Sequence, residues 1–200
     1  SRKGGPVVTE KQTHNAIRIE TDRLILRRFW KHDIEDFMEY DSHPDLARFR
    51  SGDPYTEDQA REFLATQRDL ILGTERVWLS LAVELKAEGK MIGLVSIKVL
   101  NKLHHQGEIG WTFHPSYQRQ GFATEASRAI LQLGFGILDL HRITARCDVL
   151  NTRSLRLMER LGMRGEALFR EIVFFKGVWH DQYTYAILKE EWEKQEDVSS

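Results

Sequence analysis

One cysteine, Cys147, in 200 residues leaves no partner for an internal disulfide and no thiol cluster for zinc. That usage suits a reducing compartment, and a cytoplasmic location is expected. Net charge is almost as scarce, with 29 Lys and Arg against 30 Asp and Glu and a formal charge of -1. No electrostatic excess draws the whole molecule onto nucleic acid or an anionic membrane, so neither is expected as a partner. No apolar run approaches the roughly 20 residues that cross a bilayer. The opening "SRKGGPVVTEKQTHNA" lacks the apolar core of a signal peptide, and residues 1–16 read as a flexible N-terminal tail. Internal repeats and low-complexity linkers are also missing. With 41% hydrophobic residues, what remains is one domain with a real core over residues 17–193, followed by a short C-terminal tail at 194–200.

Within that domain the apolar period alternates between strand and helix. "DRLILRRF" reads as a strand, after which Asp33 can cap a helix with Ile34, Phe37 and Met38 on one face. Thr56 and Gln59 stand at capping-box spacing before a stripe of Ala60, Phe63, Leu64 and Ile71, with Gly73 as the expected stop. From Val77 the period becomes two, and "KAEGK" turns that strand into "MIGLVSIKVL". "GEIGWTF" is a further strand ended by Pro115, followed by a helix carrying Ala126, Ile130, Leu133 and Ile137. "HRITARCDV" alternates again, "SLRLMERLG" is a short helix, and "REIVFFKGVWHDQYTYAIL" folds as a hairpin about Lys176 and Gly177. The order is that of a mixed α/β (α+β) domain. A strand-helix-strand crossover between Phe113 and Ile143 makes two strands parallel in an otherwise antiparallel sheet.

The segment "HPSYQRQGFATEAS" at that crossover has the makings of an anion site. Gly121 lacks a Cβ, so an anionic group can approach its backbone N–H, while Arg119 and the helix dipole offset negative charge. Gln118 and Thr124 add neutral donors. Alone, one glycine is equally an ordinary strand-to-helix turn. A Walker A loop and a Gly-x-Gly-x-x-Gly fingerprint are both absent.

The run Gln118-Arg119-Gln120-Gly121-Phe122-Ala123 resembles the acyl-CoA signature Gln/Arg-x-x-Gly-x-Gly/Ala of the GNAT N-acetyltransferases. More closely, "TDRLILRRF", "EIGWTFHPSYQRQGFATEA", "LHRITARCDVLNTRSLRLMERLGM" and "GVWHDQYTYAILKEEW" are similar to the ribosomal-protein-alanine N-acetyltransferase branch, over about Thr21 to Trp192. The resemblance implies a GNAT-like fold with a splayed, mostly antiparallel sheet and acetyl-CoA as acetyl donor. It implies that Trp111, Thr112 and Phe113 form the edge that pairs with pantetheine, and that residues 118–124 hold the pyrophosphate. It also implies that Asn151 and Ser154 of "NTRS" reach the pantetheine and its sulfur, with Ser154 protonating the leaving thiolate. From spacing alone, Asn151 and Ser154 read as caps of the next helix.

Acetyl transfer to an amine further needs an oxyanion donor, for which an exposed backbone N–H near Phe113 suffices, and a base. Glu108 is one candidate base, although a strand-end glutamate is as readily a solvated one. Glu171 is the other, in the late hairpin where this branch places an acceptor-site carboxylate; a one-residue slip would turn it to the opposite face. Tyr183 and Tyr185 are possible proton donors, at least one of which is expected in the core. Cys147 sits in the apolar set of its strand and reads as a buried thiol, which favours direct transfer over an acyl-enzyme. Trp179 and Asp181 are expected to shape the acceptor cleft. The histidines show no metal-ligand spacing, and no catalytic metal is expected.

The leading expectation is an acetyl-CoA-dependent N-acetyltransferase acting on a primary amine, either a protein N-terminus or a small molecule. An aminoglycoside or polyamine acceptor is the alternative among enzymes, and a non-catalytic CoA-binding regulatory module the alternative outside them. Exposed strand edges and the late hairpin could pair with a second copy as a homodimer.

Overall fold

The computed structural model describes residues 17–49 and 52–199. The expected tail at 1–16 lies outside them. Strands β1 (Arg18–Glu20) and β2 (Leu24–Arg27) lead into helices α1 (Asp33–Asp41), α2 (Pro44–Ala47) and α3 (Glu57–Asp69). Strands β3 (Leu79–Leu85), β4 (Lys90–Asn101) and β5 (Gln106–Phe113) follow, then helix α4 (Phe122–Gln132), continued by a π-helical turn over Leu133–Ile137. Strand β6 (Arg142–Asp148), helix α5 (Thr152–Arg160), strands β7 (Arg164–Phe175) and β8 (Val178–Leu188) and helix α6 (Lys189–Ser199) complete the chain.

The eight strands form one sheet in the order β1-β2-β3-β4-β5-β6-β8-β7. All neighbours are antiparallel except β5 and β6, which the α4 crossover makes parallel. Their pairing is short: Gln106, Gly107 and Glu108 face Arg142, Ile143 and Thr144, and the register ends there. Beyond Glu108 the strands diverge, so the sheet is splayed open at the C-terminal end of β5.

Apolar clusters cover both faces of the sheet. One joins Leu81, Val83, Val95 and Ile143 to Ala126 and Ile130 of α4, Met158 of α5 and Trp192 of α6. The other packs Phe37 of α1 and Leu64 of α3 against Ala82 and Met91. This double cover explains a departure from the strict alternation expected from Val77. Strand β3 begins at Leu79, and all seven of its residues are buried. The polar positions of that run, Ser80 and Glu84, are buried because each has a partner: Ser80 Oγ lies 2.8 Å from Ser96 Oγ, and Glu84 accepts from Arg27 Nε at 2.6 Å.

Other expectations shift in detail. Asp33 is the first residue of α1 rather than its cap, and its carboxylate takes both terminal nitrogens of the buried Arg27 guanidinium at 2.7 and 2.8 Å. The capping box of Thr56 and Gln59 forms as expected, but α3 ends at Asp69, which leaves Ile71 exposed in the following turn. The late hairpin turns at Lys176 and Gly177, with φ of 49° and 79°, the pair of left-handed residues that a two-residue turn matching strand twist requires. Strand β1 and helix α2 were not anticipated. Helix α6 runs through the stretch from 194 to 199 that reads as a tail in the sequence.

Candidate active site

The open edge of β5 follows from its pairing with β4. His114 N–H donates to Ile92 O at 2.9 Å, and backbone groups alternate sides along a strand. Thr112 therefore turns its N–H and C=O toward β4, whereas Trp111 and Phe113 turn theirs into the gap left by β6. Of the three residues expected at this edge, two present backbone groups to it. The carbonyl of Phe113 is occupied, since Gln118 Nε2 donates to it at 2.9 Å.

Next in the chain, Gly121 sits at φ 85° as the residue before α4, and Arg119 is also left-handed at φ 64°. The first N–H groups of α4 point out of the helix with no intrahelical acceptor. The loop is held from beneath by Arg23, whose Nη1 donates to Gln120 O at 2.9 Å and whose guanidinium lies 4.4 Å from the Phe122 ring centre. Arg23 is itself gripped by Glu125, with Nε to Oε2 at 2.7 Å and the backbone N–H to Oε1 at 2.9 Å. Burial works against the Glu125 charge, yet the Thr21 hydroxyl and both Arg23 contacts hold its carboxyl below the usual value.

Two expected donors are partly committed within the protein. Besides bonding Phe113 O, the Gln118 amide accepts from Arg153 at 2.6 Å, so its side chain braces the loop. Thr124 Oγ1 accepts from Arg160 at 3.3 Å. These contacts expose a feature that sequence reasoning missed: Arg153, Arg156 and Arg160 recur on one side of α5 and line the same cavity as Arg119, Gly121 and Thr124. Their spacing of three and four was the available signal.

This cavity, of about 1340 Å³, also takes in Trp111, Thr112, Phe113, Asn151 and Ser154 and extends to Phe37, Leu46 and Tyr55 beneath α1 and α2. Asn151 caps α5, its Oδ1 accepting from Ser154 N–H at 3.1 Å. The Ser154 hydroxyl points across to β5 and accepts from Trp111 Nε1 at 3.2 Å. A second cavity of about 270 Å³ lies between β6 and the β7–β8 hairpin. Phe49, Trp111, Asn151 and Ser154 border both, so the two meet where β5 and β6 part.

Neither candidate base is brought to that junction. Glu108 is buried rather than solvated, but it is held between Lys98 Nζ and Arg146 Nη2, each at 3.0 Å, and lines neither cavity. Glu171 lies on the outermost strand, exposed, at φ 52° within a bulge of β7 whose backbone N–H donates to Asp181 Oδ1 at 2.7 Å. The bulge, which periodicity cannot reveal, decides its direction. Asp181 thus braces the hairpin, and Trp179 is exposed against Phe174. Tyr185 packs on the main core and meets Tyr183 edge-on.

The second cavity instead contains His180 and Asp148, a pair the sequence did not single out. His180 Nδ1 lies 2.5 Å from Asp148 Oδ2, and Asp148 Oδ1 accepts from Leu150 N–H at 2.8 Å. Beside them, burial and the Asp148 charge push the Cys147 thiol up to about 11, so at neutral pH it is a poor nucleophile. Among the described residues no cluster of three His, Cys, Asp or Glu could hold a metal.

Known proteins resemble the chain in sequence and in fold. An uncharacterized N-acetyltransferase of Bacillus subtilis (strain 168), YnaD, is 37% identical over 177 residues, 88% of this chain and 99% of its own. The crystal structure of a GNAT-family acetyltransferase from Bacillus anthracis superposes with a TM-score of 0.78 at 35% identity, covering 87% of this chain and 99% of that one. At 24% identity and a TM-score of 0.73, the fold also matches a spermidine N-acetyltransferase from Vibrio cholerae solved with CoA and spermine, over 86% of this chain and 99% of that one. The acetyltransferase (GNAT) domain profile matches residues 23–164, the span that carries the splayed strands and the glycine loop, and the chain belongs to the GNAT family of N-acetyltransferases.

Proposed function

We propose that the protein transfers an acetyl group from acetyl-CoA directly to a primary amine, with a peptide or protein N-terminus preferred over a polyamine. The observation that carries this reading is the meeting of two cavities at Trp111 and Ser154, of which we read the larger as the coenzyme's and the smaller as the acceptor's. The donor set of the larger cavity suits coenzyme A. A left-handed glycine at a helix N-terminus lets a pyrophosphate approach the backbone, Arg119 and the α5 arginines supply charge, and the unpaired edge of β5 suits an amide-bearing arm.

Acetyl-CoA, as donor substrate, supplies the thioester. The Phe113 N–H, free of a β6 partner, is the oxyanion donor, and the Ser154 hydroxyl protonates the departing thiolate. Buried and protonated, Cys147 favours a single transfer over an acyl-enzyme. Preference for a single amine comes from charge: in the smaller cavity Arg146 offsets Asp148, and Phe49, Val173 and Phe175 supply apolar wall, where a polycation would call for an acidic lining.

The test is thiol release from acetyl-CoA over a panel of N-terminal peptides, aminoglycosides and polyamines, with coenzyme binding measured in parallel. Turnover on peptides is expected. Turnover on polyamines alone would overturn the acceptor preference, and tight binding with no turnover on any amine would favour a regulatory CoA-binding module.

A further inference from the structure

Resting on the transferase reading above, we propose that His180, oriented by Asp148, is the base that takes the proton from the acceptor amine. An amine at neutral pH is mostly an ammonium, which has no lone pair for attack, so the acceptor cavity must contain a group that removes a proton. Glu108 is locked between two cations outside the cavity and Glu171 faces solvent, so neither serves. His180 lies in the wall of the proposed acceptor cavity, which Trp111 and Ser154 also line on its border with the larger cavity.

Its tautomer is fixed by what it touches. An ionised carboxylate can only accept, so at 2.5 Å from Asp148 Oδ2 it is Nδ1 that carries the proton. Nε2 is left with a lone pair and has no hydrogen-bond partner among the described residues. Asp148 is itself anchored by Leu150 N–H, and the Phe175 ring, 5.9 Å away centre to centre, flanks the imidazole. A carboxylate that orients a histidine and supports the imidazolium formed is the arrangement a general base needs. The other charged or titratable groups in the cavity wall are Arg146 and the Cys147 thiol from β6. The hairpin contributes only Val173, Phe175 and Gln182 besides His180.

The balance is simple. His180 Nε2 takes one proton from the ammonium, and the neutral nitrogen then attacks the thioester carbon. As the C–N bond forms and the C–S bond breaks, the second proton on nitrogen passes to Ser154 Oγ while the Ser154 hydroxyl proton passes to the thiolate sulfur, so the serine ends as it began. The products are an amide, the free thiol and one proton, which His180 releases to solvent.

The experiment compares the full-length protein with His180→Gln and Asp148→Asn, measuring turnover across pH, acetyl-CoA affinity and melting temperature. His180→Gln is expected to lower kcat by about 100-fold at neutral pH. That deficit should shrink as pH rises, because the amine then deprotonates unaided, while acetyl-CoA affinity stays within about twofold. In the ligand-free protein, ¹⁵N NMR should find the neutral His180 ring protonated at Nδ1, a preference that Asp148→Asn weakens. This readout needs no turnover and holds even if one variant folds poorly. A His180→Gln protein with near-normal kcat, or with a loss that does not change with pH, would overturn the proposal and leave a structural tie between β6 and β8. Failure of the unaltered protein on every amine would instead overturn the transferase reading.

Discussion

The two halves of the site differ in how the chain builds them. Around the glycine loop the proposed coenzyme half is nearly continuous in sequence, running through the end of β5, the loop at 118–124, α4 and then α5, with a distant brace from Arg23 to Glu125 of α4. The proposed acceptor half is assembled from Phe49, Ile109 and Gly110 of β5, the end of β6 and the two strands of the late hairpin, brought together by pairings of β6 with β8 and of β8 with β7. A local device specifies itself through glycine, helix caps and helix dipole. A long-range one depends on register and on bulges, which a single sequence does not display.

The largest effect expected from breaking the local half comes at Gly121. A valine there would be strained at a left-handed position by about 1–2 kcal/mol, and its Cβ would crowd Arg23 Nη2 at 3.2 Å, displacing the brace that sets the proposed pyrophosphate cradle. Acetyl-CoA affinity should fall by at least about 100-fold, roughly 2.7 kcal/mol, while the protein still melts cooperatively. The acceptor half shares no residue of this loop, so the ¹⁵N signature of the His180–Asp148 pair should be unchanged. Binding at normal affinity would remove the reason for reading the loop as a cradle.

At the seam between the halves, Ser154→Ala should separate chemistry from binding. Loss of the proton donor proposed for the thiolate is expected to lower kcat by about 10- to 100-fold with acetyl-CoA affinity little changed. Asn151, not the Ser154 hydroxyl, supplies the cap of α5, so stability should fall only by the lost Trp111 Nε1 contact, about 1 kcal/mol. A stability loss with normal turnover would return Ser154 to a structural role.

How much of this was legible follows the same division. The sheet, its one parallel pair and the glycine loop were read from periodicity and from a six-residue run, because strand, turn and cap chemistry are local. Burial of Glu108 was not, since it requires Lys98 from one neighbouring strand and Arg146 from the other. The His180–Asp148 pair was missed because 32 positions separate its members and only the register of β6 on β8 joins them. Helix α6 escaped because its sequence, "KEEWEKQEDVS", offers Trp192 as its anchor to the core amid charged residues.

Acid should discriminate the brace under the loop. Because the Glu125 carboxyl is held below its ordinary value of 4.5, its tie to Arg23 is fully present above that pH and is lost as pH falls through the lowered value. Glu125→Gln removes the charge at every pH. Acetyl-CoA should therefore bind several-fold more weakly to the variant at pH 7, and the two dissociation constants should converge only below about pH 4.5. A ratio that is flat with pH would mean that the ion pair does not set the loop.

The smallest effect is expected at Glu171, the candidate base on the outermost strand. Glu171 occupies a left-handed position that costs a residue with a Cβ about 1 kcal/mol, and its contact there is made by the backbone N–H to Asp181, which any residue except proline supplies. Glu171→Gly relieves that strain but gains freedom in the unfolded chain, so stability should move by less than about 1 kcal/mol. Turnover on the preferred acceptor should stay within about twofold, with an unaltered pH profile, because the bulge persists through Asp181 and the carboxylate faces solvent. A loss of turnover that eases as pH rises would assign Glu171 the proton transfer proposed for His180, and the acceptor half would then need a rearranged hairpin to bring that strand inward.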